Sequence, residues 1–348
     1  MVMQDGGTVD IRPGADPGRA AAEHRGAYLA TALSLALYAG VLFAWTVYGL
    51  VQGDGSVWDF LEGLFNPAAS PATQIVGPYE WAFTAGLLVI AGMALARRRV
   101  ARSAALLSGF ILLAVSLREG VGLFDAAYRD QYSNDTLGGW VLATRGLGLV
   151  VALVVLFALF PATERRRGEQ PSAPGAAGPE AWWLRSSRIC GVLFLLMCVA
   201  RIGWTVHTVT APEVDAGDYL HRVVDGSVIG TLDLAAPQEF TTVGSVLVLL
   251  ILGVLALRGR REVRGALLVF AALELYMTVR TVVLLTVTDF FNRSFETPEG
   301  ALSLVTTAYA LAGMTSVVVL TTGRAFGPYS GLRPEGVRTA AVGRGGGM

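Results

Sequence analysis

The chain has no lysine. Its 27 basic residues are all arginine and face 27 acidic ones, so the net charge is zero. Neutrality excludes a global field that would draw nucleic acid, and no nucleic-acid partner is expected. Charged residues make up only 16% of the chain and hydrophobic ones 53%, which excludes an ordinary soluble domain and a disordered chain. Cysteine is nearly absent. Cys190 and Cys198 share one apolar stretch, about 12 Å apart along a helix, too far for a disulfide. No Cys-x-x-Cys pair supports thiol redox chemistry. The three histidines supply no pair of buried helical ligands, which excludes bis-histidine haem, and no cofactor is expected. No nucleophile–base pair, metal set or phosphate loop stands at a readable spacing, so an intramembrane enzyme using Glu119 or Glu274 as a base ranks last among the readings. No short apolar core with a cleavage site precedes the first long apolar run, so no removable signal peptide is expected.

What is present is length without charge. Apolar stretches run at about 27–51, 80–96, 103–123, 139–160, 188–210, 239–257, 265–288 and 301–322, each roughly the 17–25 residues that a helix needs to cross a bilayer. They are continuously apolar, whereas a barrel strand alternates.

The chain also contains itself twice. Trp45-Thr46-Val47 recurs as Trp204-Thr205-Val206, Asp59-Phe60-Leu61 as Asp218-Tyr219-Leu220, and Pro78-Tyr79-Glu80-Trp81 as Pro237-Gln238-Glu239-Phe240, all at an offset of 159 residues. Arg98, Arg99, Arg102 and Arg118 recur as Arg260, Arg261, Arg264 and Arg280 at an offset of 162. The expected fold is an all-α integral membrane protein of eight transmembrane helices, a tandem duplication of a four-helix unit. Its parts are an N-terminal tail (1–26), a first unit (27–160), a linker (161–187), a second unit (188–322) and a disordered tail (323–348).

Arginine sets the expected orientation. Arg97 to Arg102, Arg165 to Arg188, Arg258 to Arg264 and the tail from Arg324 lie on one side, while connections 52–79, 124–138, 211–238 and 289–300 are acidic. The positive-inside rule then puts both termini in the cytoplasm of a multi-pass cell-membrane protein. The even span count makes the two units parallel, related by an axis along the membrane normal.

Six charges fall inside the spans: Arg118, Glu119, Arg145, Arg201, Glu274 and Arg280. Such charges face a bundle interior or a wet cavity. Counted from the inner helix ends, Arg118 and Arg280 lie ~22 Å up, and Glu80 and Glu239 ~24–27 Å up. Two equivalent ion pairs are therefore expected, Glu80–Arg118 and Glu239–Arg280, serving as clips at the outer rim. The repeat does not copy Arg145 and Arg201. One reading has both arginines lining an outward-opening cavity as an anion site, since the guanidinium fork suits phosphate and carboxylate. The other has Arg145 paired with Asp135 or Glu119, and Arg201 with Glu274, as internal glue.

In the loops, Asp59, Glu62 and Asn66 share a helical face, as do Asp218, His221 and Asp225. Asp218, His221 and Asp225 are conceivable metal ligands. A short amphipathic helix at the membrane interface explains both triplets without a metal and is preferred. Trp45, Trp81, Trp140 and Trp204 fall near outer span ends, as an aromatic belt does.

The run Pro78-Tyr79-Glu80-Trp81, Gly86-Leu87-Leu88, Gly92, Arg97 to Arg102 and Ala104-Ala105-Leu106-Leu107 resembles the second and third helices of DoxX-like four-helix membrane modules. Glu239, Gly253, Arg258 to Arg264 and Ala266-Leu267-Leu268 are similar in the second unit. The resemblance covers about a quarter of each unit. It implies a four-helix fold and the company of membrane redox or quinone-linked assemblies.

The expectation is a membrane protein, transporter-like, that binds or moves a small amphipathic or anionic molecule, lipid included. The cavity would lie between the units, with Arg145 and Arg201 on the ligand and Arg118, Arg280, Glu80, Glu239, Glu119 and Glu274 around it. The alternative is a non-enzymatic accessory or scaffold subunit with a membrane-protein partner. A Gly/Ala/Ser stripe (Ala101, Ala104, Ala105, Ser108, Gly109) suits close helix packing of either kind.

Overall fold

The computed structural model describes residues 18–53, 56–69, 76–162, 179–212, 214–228 and 234–323. Twelve α-helices follow one another among them: α1 (Arg25–Gln52), α2 (Val57–Phe65), α3 (Pro78–Leu95), α4 (Arg99–Gly122), α5 (Ala126–Asn134), α6 (Gly138–Leu159), α7 (Pro179–Val209), α8 (Ala216–Val224), α9 (Gln238–Leu257), α10 (Arg264–Val287), α11 (Phe290–Arg293) and α12 (Pro298–Thr322). The order long, short, long, long, short, long occurs twice. The eight long helices are long and apolar enough to cross a membrane, and they sit on the expected spans. The chain is thus all-helical among the described residues and reads as a polytopic membrane protein.

Local sequence sets the helix ends. Ser56 and Asp59 form a reciprocal capping box on α2. Asp125 and Asp215 cap α5 and α8, and Thr297 caps α12 just ahead of Pro298. The turns α3–α4 and α9–α10 each need a left-handed residue, supplied by Arg97 (φ 52°) and Gly259 (φ 68°), which stand 162 residues apart.

One expected boundary moves. Helix α7 begins at Pro179, inside the stretch read as linker. The extra turns are held by packing: Trp183 is buried with Arg264 over its ring at 5.7 Å, and the Ser187 hydroxyl donates to the Ala256 carbonyl at 2.8 Å. The rest of the linker (163–178), most of the N-terminal tail and the C-terminal tail fall outside the described residues.

Within the first half α1 packs on α3 and α6, and α4 on α6; within the second, α7 packs on α9 and α12, and α10 on α12. The small-residue stripe on α4 is buried, and Gly109 lies against Val155 and Leu156 of α6. It therefore serves packing within the bundle. Trp45 and Trp204, expected as belt residues, instead brace the fourth long helix of their half. Their indole N–H groups donate to Thr144 (2.9 Å) and Thr306 (3.2 Å), because α1 and α7 lie beside α6 and α12.

The halves meet chiefly along α4 and α10. Ser103 and Gly265, 162 residues apart, face each other there: the Ser103 hydroxyl accepts from the Gly265 and Ala266 amides at 3.1 and 3.3 Å. A Cβ on Gly265 would lie 1.9 Å from the Val100 carbonyl oxygen. Gly265→Ala should therefore cost about 2 kcal/mol or more of stability and lower the melting temperature in detergent. Gly203→Ala, where an added Cβ meets nothing within 4 Å, should be neutral or slightly stabilising.

Candidate functional site

Arginines on α4 and α10 do most of the joining. At the end that holds the α3–α4 and α9–α10 turns, Arg102 donates to the carbonyls of Leu159 (3.1 Å) and Phe160 (3.3 Å), and Arg264 to that of Thr321 (2.6 Å). Each finishes the last helix of its own half, where unpaired carbonyls concentrate negative partial charge. At the other end the pattern crosses over. Arg118 of α4 donates to the carbonyls of Arg222 (3.2 Å) and Asp225 (2.8 Å), at the end of α8 in the second half. Arg280 of α10 donates to Gly63 (2.7 Å) and Leu64 (2.6 Å), at the end of α2 in the first half.

The expected ion pairs Glu80–Arg118 and Glu239–Arg280 accordingly do not form. The helix ends of the opposite half outcompete the carboxylates, because several aligned carbonyls fill a guanidinium fork without burying a further charge. Glu80 accepts the Ala236 amide at 2.8 Å, and Glu239 meets the exposed Arg222 at 3.4 Å. Two glycines let the second half sit on the end of α4. A Cβ on Gly122 would come 2.8 Å from the Ser227 nitrogen, and one on Gly226 3.2 Å from Glu119.

Glu119 is the centre of a buried polar cluster. Its Oε1 lies 3.3 Å from Arg118 Nη1 and 3.6 Å from Arg145 Nη2. Its Oε2 accepts the Tyr128 hydroxyl at 2.8 Å, with the Tyr132 hydroxyl at 3.5 Å. Burial pushes the Tyr128 phenol well above its ordinary range, so it stays protonated and donates. Two arginines thus share one glutamate. Arg145 pairs with Glu119 and not with Asp135, whose carboxylate caps Leu137.

The second cluster lies on α7, α9 and α10. Arg201 bonds the Glu274 carboxylate and the Ser245 hydroxyl. Arg145 and Arg201 are therefore both ion-paired, in separate clusters.

A cavity of about 200 Å³ lies between the halves. Its walls come from α1, α3, α4 and α6 on one side and α9 on the other, with Phe270 behind. The lining is mostly aliphatic and aromatic. Its polar groups are Glu80, Arg145, Tyr38, Tyr79, Thr241 and Ser245. Of the expected ligand residues, Arg145 and Glu80 reach the cavity; Arg201 touches it only through Ser245, and Glu119 stands behind Arg145. Arg118, Arg280, Glu239 and Glu274 do not line it.

The tyrosines escaped the sequence reading. Tyr128 and Tyr132 were legible as an i, i+4 pair on a helix capped by Asp125. Tyr38 and Tyr79 carried no signal beyond the place of Tyr79 beside Glu80.

The two loop triplets form the expected short helices. Asn66 donates to Glu62 at 3.0 Å, and His221 meets Asp225 at 3.0 Å. Burial opposes ionisation of Asp225, but bonds from Ser227 and the neighbouring His221 outweigh it and hold the carboxyl below its usual range. Among the described residues no three His, Cys, Asp or Glu side chains come together, Asp218, His221 and Asp225 included.

Two outcomes check this geometry. Arg201→Ala leaves Glu274 buried beside no guanidinium and should cost about 3–5 kcal/mol. Pairing Arg201→Leu with Glu274→Leu, the residues found at the related positions 42 and 112, should restore most of the melting temperature. Separately, Arg280→Met should speed hydrogen exchange in α2 and leave α8 protected, while Arg118→Met does the reverse.

Comparison with family models, curated proteins and solved structures finds no match to this chain.

Proposed function

We propose that this chain is a tandem duplication of a four-helix membrane unit, with both termini cytoplasmic, that binds a small amphipathic molecule between its halves. The bound molecule would carry a polar or anionic head at Arg145 and an apolar body against α4 and α9. The single observation that carries this reading is the cavity: apolar walls with Arg145, Glu80 and four hydroxyl side chains among them. The duplication draws support from interactions recurring at related positions: Trp45–Thr144 with Trp204–Thr306, and Arg102 with Arg264 on the ends of α6 and α12. The orientation rests on the arginines of the two inner turns. The likeness to DoxX-like modules agrees with a four-helix unit and adds no ligand.

Native mass spectrometry on gently purified protein tests the reading. Wild type should carry a defined small molecule or lipid. Ala114→Tyr should lose it, because that tyrosine would enter the cavity from α4 at the position related to Tyr276. Arg145→Gln should weaken retention while Ala114→Tyr melts like wild type. A bare wild-type chain would sink the proposal.

A further inference from the structure

Resting on that reading, the geometry points to a ligand drawn sideways from the bilayer, a single-chain amphiphile admitted through the gap between α4 and α9. The first observation is where the cavity is exposed. Phe110 and Leu247 both line it, and both are about half exposed (51% and 53%). Each sits at the middle of its long helix, roughly 16 Å from the start of α4 or 15 Å from the end of α9. At that depth the only neighbour outside the protein is hydrocarbon.

The second observation is what lines the other end. Leu234 and Ala236 lie over the cavity beside α3, and the Ala236 amide is bonded to Glu80 at 2.8 Å. Glu80 and Arg145 lie toward this end, and the apolar groups reach to the mid-helix opening at Phe110 and Leu247. That order matches a lipid chain lying with its head toward one membrane face and its tail toward the centre. The charged groups here are already engaged, Arg145 by Glu119 and Glu80 by an amide, so an apolar chain contributes more to binding than a head charge does.

The third observation is a difference between related positions. The position related to Ala114 is Tyr276, whose ring packs on Phe65 and whose hydroxyl donates to Leu64 at 2.6 Å. A side chain that would fill the equivalent space is therefore missing between α4 and α9. Gly244, on the α9 side, has nothing within 4 Å of an added Cβ, so the gap can be filled without a backbone clash.

The test uses full-length protein in phosphatidylcholine nanodiscs, doped with palmitoyl lysophosphatidylcholine deuterated in its chain. Native mass spectrometry follows the labelled lipid on the protein over time. Wild type should take up the label, Gly244→Trp should slow uptake tenfold or more, and Phe110→Ala should speed it. Equal uptake rates in all three proteins would overturn the lateral route and leave the binding site standing. A wild type that keeps some other molecule and never takes the probe would overturn the single-chain class. A wild type with nothing bound would remove this inference together with the reading beneath it.

Discussion

Arginine on a helix C-terminus is the interaction on which this architecture rests. Arg102, Arg118, Arg264 and Arg280 all project from α4 or α10, and all donate to carbonyls at or next to helix ends. The carbonyls of a last helical turn have no partner within the helix, and in a lipid surrounding they have no water either. A guanidinium fork satisfies two at once and places its charge at the negative end of the helix dipole. The inner two arginines tie each half to itself. The outer two tie each half to the other, and so fix the distance at which α4 faces α9 and the cavity lies open.

The two halves repeat one order of helices but differ in the side chains at related positions. Leu42 and Leu112 stand where the second half has Arg201 and Glu274, and Ala114 stands where it has Tyr276. The second half is locked by an ion pair and a tyrosine bonded to α2. The first half keeps its polar groups together around Glu119, behind Arg145, and leaves the space in front of them empty of side chains. The ion pair thus belongs to the second half, while the cavity lies between the two.

The spans were legible because continuous apolar runs of bilayer length have few other interpretations, and the short loop helices because Asp59, Glu62 and Asn66 repeat in pattern as Asp218, His221 and Asp225. The pairing of Arg201 with Glu274, and of Arg145 with Glu119, was legible as one of two readings because few acids lie at the right depth. The partners of Arg118 and Arg280 were not legible. Counting residues along a helix gives depth, and depth alone favoured Glu80 and Glu239. It says nothing of backbone carbonyls brought in from a loop some hundred positions away in sequence. The early start of α7 was hidden too, since polar Arg185, Ser186 and Ser187 interrupt the apolar run although both serines are buried.

The crossed grip of Arg118 has a consequence for biogenesis. Its acceptors, Arg222 and Asp225, are made about a hundred residues after it, beyond three further segments that must be synthesised first. Until they arrive, Arg118 has Glu119 beside it but lacks both of its carbonyl acceptors. A half-made chain therefore carries an arginine whose grip is incomplete, and its final packing waits for the later segment that supplies α8.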